Sequence, residues 1–97
     1  MNHATFQIKL APHSIRTIDR SMIVKIDAKD DVLVLNPVAA TVLNGLKERE
    51  SSSISVPDLL ADIKRLFDVA EIPDDVLIAD IHKTLDSFKE NGLIRLE

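Results

Sequence analysis

Apolar positions change their period once along this chain, and the change falls within Val32–Leu46. Up to Leu35 they come as short β-branched and aliphatic runs; after Pro37 they fall at Ala39, Val42, Leu43 and Leu46, the spacing of one helical face. Asn36 and Pro37 mark the switch. The Asn side chain can accept from a free amide of the first turn, and Pro at the first helical position gives up a donor that had no partner. A strand, Val32 to Leu35, is therefore predicted to feed directly into a helix over Pro37 to Lys47, with Gly45 inside it at a cost of about 1 kcal/mol relative to Ala.

Upstream, Phe6-Gln-Ile-Lys-Leu10 alternates as a strand with one buried face. Ala11 to Ser14 interrupts it, Ile15 to Ile18 forms a second extended piece, and Met22 to Ile26 is apolar enough to lie mid-sheet. The polar turn Asp27–Asp31 then returns Val32–Leu35 antiparallel to Met22–Ile26. This predicts a meander over roughly residues 5–35 whose last strand is an edge.

Downstream of the charged, Ser-rich loop Glu48–Ser53, a second helix starts with Ser55 as cap. Asp58 completes a capping box, with Ile54 and Leu59 as staple and Leu59, Leu60, Ile63, Leu66 and Phe67 as buried stripe. A third helix opens at Pro73, with Asp74 and Asp75 in its first turn. Leu77, Ile81, Leu85 and Phe88 make its core face, and Ile78, His82 and Lys89 its flank. Asn91-Gly92 reads as a left-handed stop, and Leu93–Leu96 as a tail folding back on the core. Strands followed by three helices give an α+β fold of winged helix-turn-helix type, with residues 1–97 as a single domain and 36–96 as its helical part.

Composition narrows the chemistry. The 97 residues carry 12 Lys and Arg against 16 Asp and Glu, net −4, with three aromatics and no Cys. Without Cys there is no thiolate nucleophile, disulfide or sulfur-ligated metal; a reducing cytoplasm fits this composition, as does an N-terminus unlike a signal peptide. No segment has the roughly 20 apolar residues that span a bilayer. The histidines, His3, His13 and His82, lie apart at no metal-ligand spacing, and with only Gly45 and Gly92 there is no phosphate loop. Catalysis has no candidate residues, and no cofactor or metal site is expected. DNA binding, the common use of a winged helix, meets a third helix with Asp74, Asp75, Asp80, Asp86 and Glu90 against Lys83 and Lys89, a surface that repels phosphate.

The stretches Leu35-Asn36-Pro37-Val38-Ala39-Ala40, Ser55-Val56-Pro57-Asp58-Leu59-Leu60 and Leu85-x-x-Phe88-x-x-Asn91-Gly92-Leu93-Ile94 occur in an order and spacing that resembles the family of pyrroloquinoline quinone (PQQ) biosynthesis protein D, PqqD, also called the RiPP precursor recognition element. The family pattern has Leu-Asn-x-x-Ala-Ala at the strand-to-helix switch, Thr/Ser-Val opening helix two and Leu-x-x-x-Gly-Leu-Ile after helix three. This chain departs from it in its long loop between helices one and two and in the additional strand Phe6–Leu10. The resemblance implies a cytoplasmic, non-catalytic peptide chaperone. Such a protein captures the leader of a ribosomally made precursor peptide and presents it to a modifying enzyme, often a radical S-adenosylmethionine enzyme. The leader would pair as an added strand along Val32, Leu33, Val34 and Leu35, in a cleft flanked on helix three by Ile78, His82 and Leu85. Two alternatives stay open: a winged-helix nucleic-acid binder, and an adaptor that homodimerises through two Val32–Leu35 edges.

Overall fold

The computed structural model describes residues 4–96. Its elements run β1 (Thr5–Phe6), β2 (Ile8–Leu10), β3 (His13–Ile18), β4 (Ser21–Ile26), β5 (Val32–Leu35), α1 (Pro37–Glu48), β6 (Ile54–Ser55), α2 (Val56–Leu66), α3 (Asp74–Glu90) and β7 (Ile94–Leu96). The fold is α+β: an antiparallel sheet in the order β3-β4-β5, then three helices. The central position of β4 follows from its composition, since Val24 and Ile26 are buried and Ile23 is half-buried on the other face.

A two-residue turn at Asp19-Arg20 closes the β3–β4 hairpin on the pair Ile18–Ser21, with Asp19 at φ 53°, a left-handed value that Asp tolerates. The strand His13–Ile18 starts two residues before the expected Ile15. His13, expected in a turn, is instead half-buried opposite Ile26, with ring Nδ1 2.7 Å from the Ala11 carbonyl oxygen.

The N-terminal strand does not join the meander. It breaks at Gln7 into two pieces that pair elsewhere: Thr5–Phe6 with Ile54–Ser55, and Ile8–Leu10 with Ile94–Leu96. The expected alternation is present, with Ile8 buried and Lys9 exposed, but its partners are the returning tail and the lead-in to α2. The Ser-rich loop is tied to the same strand, because Leu10 N–H donates to Glu50 Oε2 at 2.7 Å and Ser51 N–H to the Ile8 carbonyl at 3.4 Å.

Helix boundaries follow local chemistry. Asn36 Oδ1 accepts from Ala39 N–H at 2.8 Å with Pro37 at the first helical position. At α2 the capping box is complete: Asp58 N–H donates to Ser55 Oγ at 3.3 Å and Ser55 N–H to Asp58 Oδ2 at 3.0 Å. α3 ends in a Schellman turn. Leu93 N–H reaches the Phe88 carbonyl at 2.9 Å, Gly92 N–H reaches that of Lys89 at 3.1 Å, and Gly92 sits at φ 79°.

The core is built from Val24, Ile26 and Leu35 of the sheet, Val42, Leu43 and Leu46 of α1, Leu59 and Ile63 of α2, and Leu77, Ile81, Leu85 and Phe88 of α3. Ile8 and Ile94 close it from the small sheet. The stripe predicted for α2 needs one correction: Leu66 is 62% exposed, because the helix ends at that residue, while Asp62, between Leu59 and Ile63 on the inner face, is 3% exposed. Asp62 accepts there from Arg49 Nη1 at 2.7 Å and Nη2 at 3.1 Å, a bidentate pair supplemented by Arg65 at 3.4 Å. The hydrogen bond to Asp62 raises the Arg49 pKa above its ordinary value, against the opposing effect of burial. The pair joins the end of α1 to the middle of α2.

Candidate functional site

The polarity of β5 follows from the two-residue β3–β4 turn. In such a hairpin the closing pair exchanges both backbone hydrogen bonds, and along an antiparallel strand successive residues point their N–H and C=O alternately to opposite sides. With Ile18–Ser21 as the closing pair, Ser21 and Ile23 bond toward β3, so Met22 and Val24 bond toward β5. Their partners, Leu35 and Leu33, thus spend their backbone groups on β4. Val32 and Val34 aim theirs away from the sheet.

Among the described residues no strand covers that side. β5 pairs with β4 alone, while β1, β2 and β7 are engaged with β6 and with each other. The side chains divide in the same way: Leu33 is half-buried and Leu35 buried toward the core, whereas Val32 is 50% and Val34 65% exposed on the outer face. A bare edge with no Pro or charge within it is uncommon, because native sheets usually blunt such margins.

On α3, Ile78, His82, Leu85 and Lys89 follow each other at offsets of four, three and four, one stripe beside the core face. Ile78 is half-buried, His82 exposed and Leu85 buried. His82, Leu85, Asp86 and Lys89 line a largely apolar groove whose other walls are Ala4, Phe6, Val56, Ile94 and Leu96. Thus the structure brings His82 and Leu85 together, on the side of α3 facing β1 and β7. Val32 lines a different hollow, on the outer face of the sheet with Ile18 and Ile23. β5 leans on α1, and α3 packs on α2, α1 and β7.

Sequence reasoning missed the part Phe6 and Leu96 play in the α3 groove, because only the tertiary pairing of the two chain ends brings them there. Of the histidines, His13 opens β3 with its ring Nδ1 on the Ala11 carbonyl, and His3 lies outside the described residues. Among the described residues no group of His, Asp or Glu is arranged to hold a metal ion, and no helix is long and apolar enough to cross a membrane.

The family model described as coenzyme PQQ synthesis protein D (PqqD) matches residues 16–94. The chain belongs to the PqqD family. The match starts inside β3 and ends at the first residue of β7, so it takes in the β3-β4-β5 sheet and all three helices and leaves out β1 and β2. The additional N-terminal strand noted as a departure from the PqqD pattern is therefore an attachment beside the family's region, paired with its tail. Neither a curated protein nor a solved structure gives a significant match to the chain.

Proposed function

We propose that this PqqD-family protein is a non-catalytic peptide-binding module. It captures the leader of a ribosomally made precursor peptide by strand addition to β5 and presents it to a modifying enzyme, of which a radical S-adenosylmethionine enzyme is the leading candidate. Membership of the family supports a role in PQQ-type biosynthesis and an accessory, non-enzymatic part in it. The single observation that carries the finer reading is the uncovered β5 margin, where Val32 and Val34 turn their backbone groups outward.

The physics of this mode is simple. An unpaired edge holds a row of donors and acceptors already fixed in extended geometry, so an incoming strand gains main-chain hydrogen bonds while only its own backbone needs ordering. Alternate side chains of the guest then meet Leu33 and Leu35 on the inner side and Val32 and Val34 on the outer. The stripe Ile78, His82 and Leu85 on α3 is proposed as a second contact surface for the leader beyond the added strand, since His82 and Leu85 line the groove beside β1 and β7 and not the hollow that holds Val32. The whole chain acts as one such module in this reading.

The test is a titration of isotope-labelled protein with a synthetic leader from the precursor encoded nearest to it. The amides of Val32–Leu35 and of α3 are expected to shift. Shifts confined to β1, β2 or β3 would reject the assigned edge.

A further inference from the structure

The register of the sheet sorts its residues into two faces, and the outer one is unusual for this protein. Its aliphatic members are Ile18, Ile23, Val32 and Val34, its charged members Arg16 and Lys25, and the other two positions are serines. No carboxylate stands on that face, although the chain as a whole has net charge −4. Among the described residues neither cation has a carboxylate within 4.0 Å; Lys25 Nζ instead donates to the Lys29 carbonyl at 2.6 Å and the Ile26 carbonyl at 3.4 Å.

The face ends at the open margin. Val34 stands opposite Ile23, and Val32 opposite Lys25. A strand added to β5 puts every second side chain on this same face, directly beside Val32 and Val34, with long side chains able to reach diagonally. The guest residue beside Val34 meets an aliphatic row, Val34 and Ile23. Its neighbour two positions away, beside Val32, meets a short aliphatic side chain with an ammonium group behind it.

We infer that the outer sheet face selects the side chains of the docked strand: a carboxylate beside Val32, within reach of Lys25, and an aliphatic residue beside Val34, with Arg16 adding to the positive field. The inference rests on strand addition at β5 and goes beyond it by specifying the chemistry of the guest's outward face. An extended segment with acidic and aliphatic residues at alternate positions is the class of peptide this face takes.

A display library of short random peptides selected on the whole protein tests this. The expected result is enrichment of Asp or Glu two positions from an aliphatic residue, with binding that shifts the Val32 and Val34 amides. Lys25→Glu should weaken a selected peptide by about fivefold or more, the scale of an exposed ion pair turned repulsive. Changing the peptide's acid to Lys should restore binding to that variant, and Lys25→Gln should give an intermediate loss. Peptides that shift Val32 and Val34 but show no acidic enrichment, or whose affinity ignores charge reversal at Lys25, would overturn the selection while leaving strand addition standing. A selection that yields no peptide touching Val32–Leu35 would overturn strand addition itself.

Discussion

Two single residues show how closely α1 and α2 are fitted. Gly45 looks like a weak point in a helix, worth about 1 kcal/mol if replaced by Ala on propensity alone. A Cβ there would stand 2.6 Å from Asp62 Oδ2 and 3.0 Å from Leu59 Cδ2, and Asp62 cannot swing aside without breaking its bidentate pair with Arg49. Gly45→Ala is therefore expected to destabilise the protein by about 1–3 kcal/mol, the cost of overpacking a close approach. Chemical denaturation should show a lower midpoint at unchanged slope; a rise in stability would mean that propensity wins. Arg49→Met leaves the Asp62 carboxylate buried with only Arg65 at 3.4 Å. Because Arg49 is partly solvated, the loss should fall at or below the low end of the range for broken buried pairs, about 2–3 kcal/mol, read from the same denaturation curves. Asp62 was legible in principle, since its offsets of three from Leu59 and four from Leu66 put it on the apolar stripe. The predicted stripe left Asp62 out, because the residue that pairs with it, Arg49, is the cap that follows α1, 13 positions away.

At the scale of elements, the cap and stop signals contained within a single turn match the structure. The Asn36-Pro37 switch, the Ser55–Asp58 box and the Asn91-Gly92 stop each depend on residues within a turn of one another, so their geometry is written in adjacent positions. The partners of Phe6–Leu10 could not be read this way. Alternation announces a strand with one buried face but says nothing of which edge it joins, and here Ile8 faces Leu96 across almost the whole chain. The same limit applies to the candidate site, where the strand Val32–Leu35 was legible and the surroundings of His82 were not. Val34→Pro tests the edge directly. The outward N–H it removes makes no bond within the sheet, so the fold should survive, with a nearly unchanged circular dichroism spectrum. Leader affinity should be lost. Undiminished affinity would count against strand addition.

For the whole molecule, charge and shape bear on the two alternative readings. The acidic third helix and net charge of −4 predict no retardation of duplex DNA in gel-shift assays even at low salt; salt-sensitive binding would revive the nucleic-acid reading. The margin proposed to hold a leader could also pair with its own copy, and the two uses compete. Sedimentation with leader present should give one chain per leader, and any dimer seen without it should dissociate as leader is added. A dimer that persists at saturation would place its interface away from β5.

Amide hydrogen exchange, residue by residue across β5, tests the central claim most directly. In the protein alone Leu33 and Leu35, bonded to β4, should be protected while Val32 and Val34 exchange quickly, and saturating leader should slow the latter two to the rate of their neighbours. Equal protection of all four residues before any peptide is added would show that the edge is already taken, and would contradict the account.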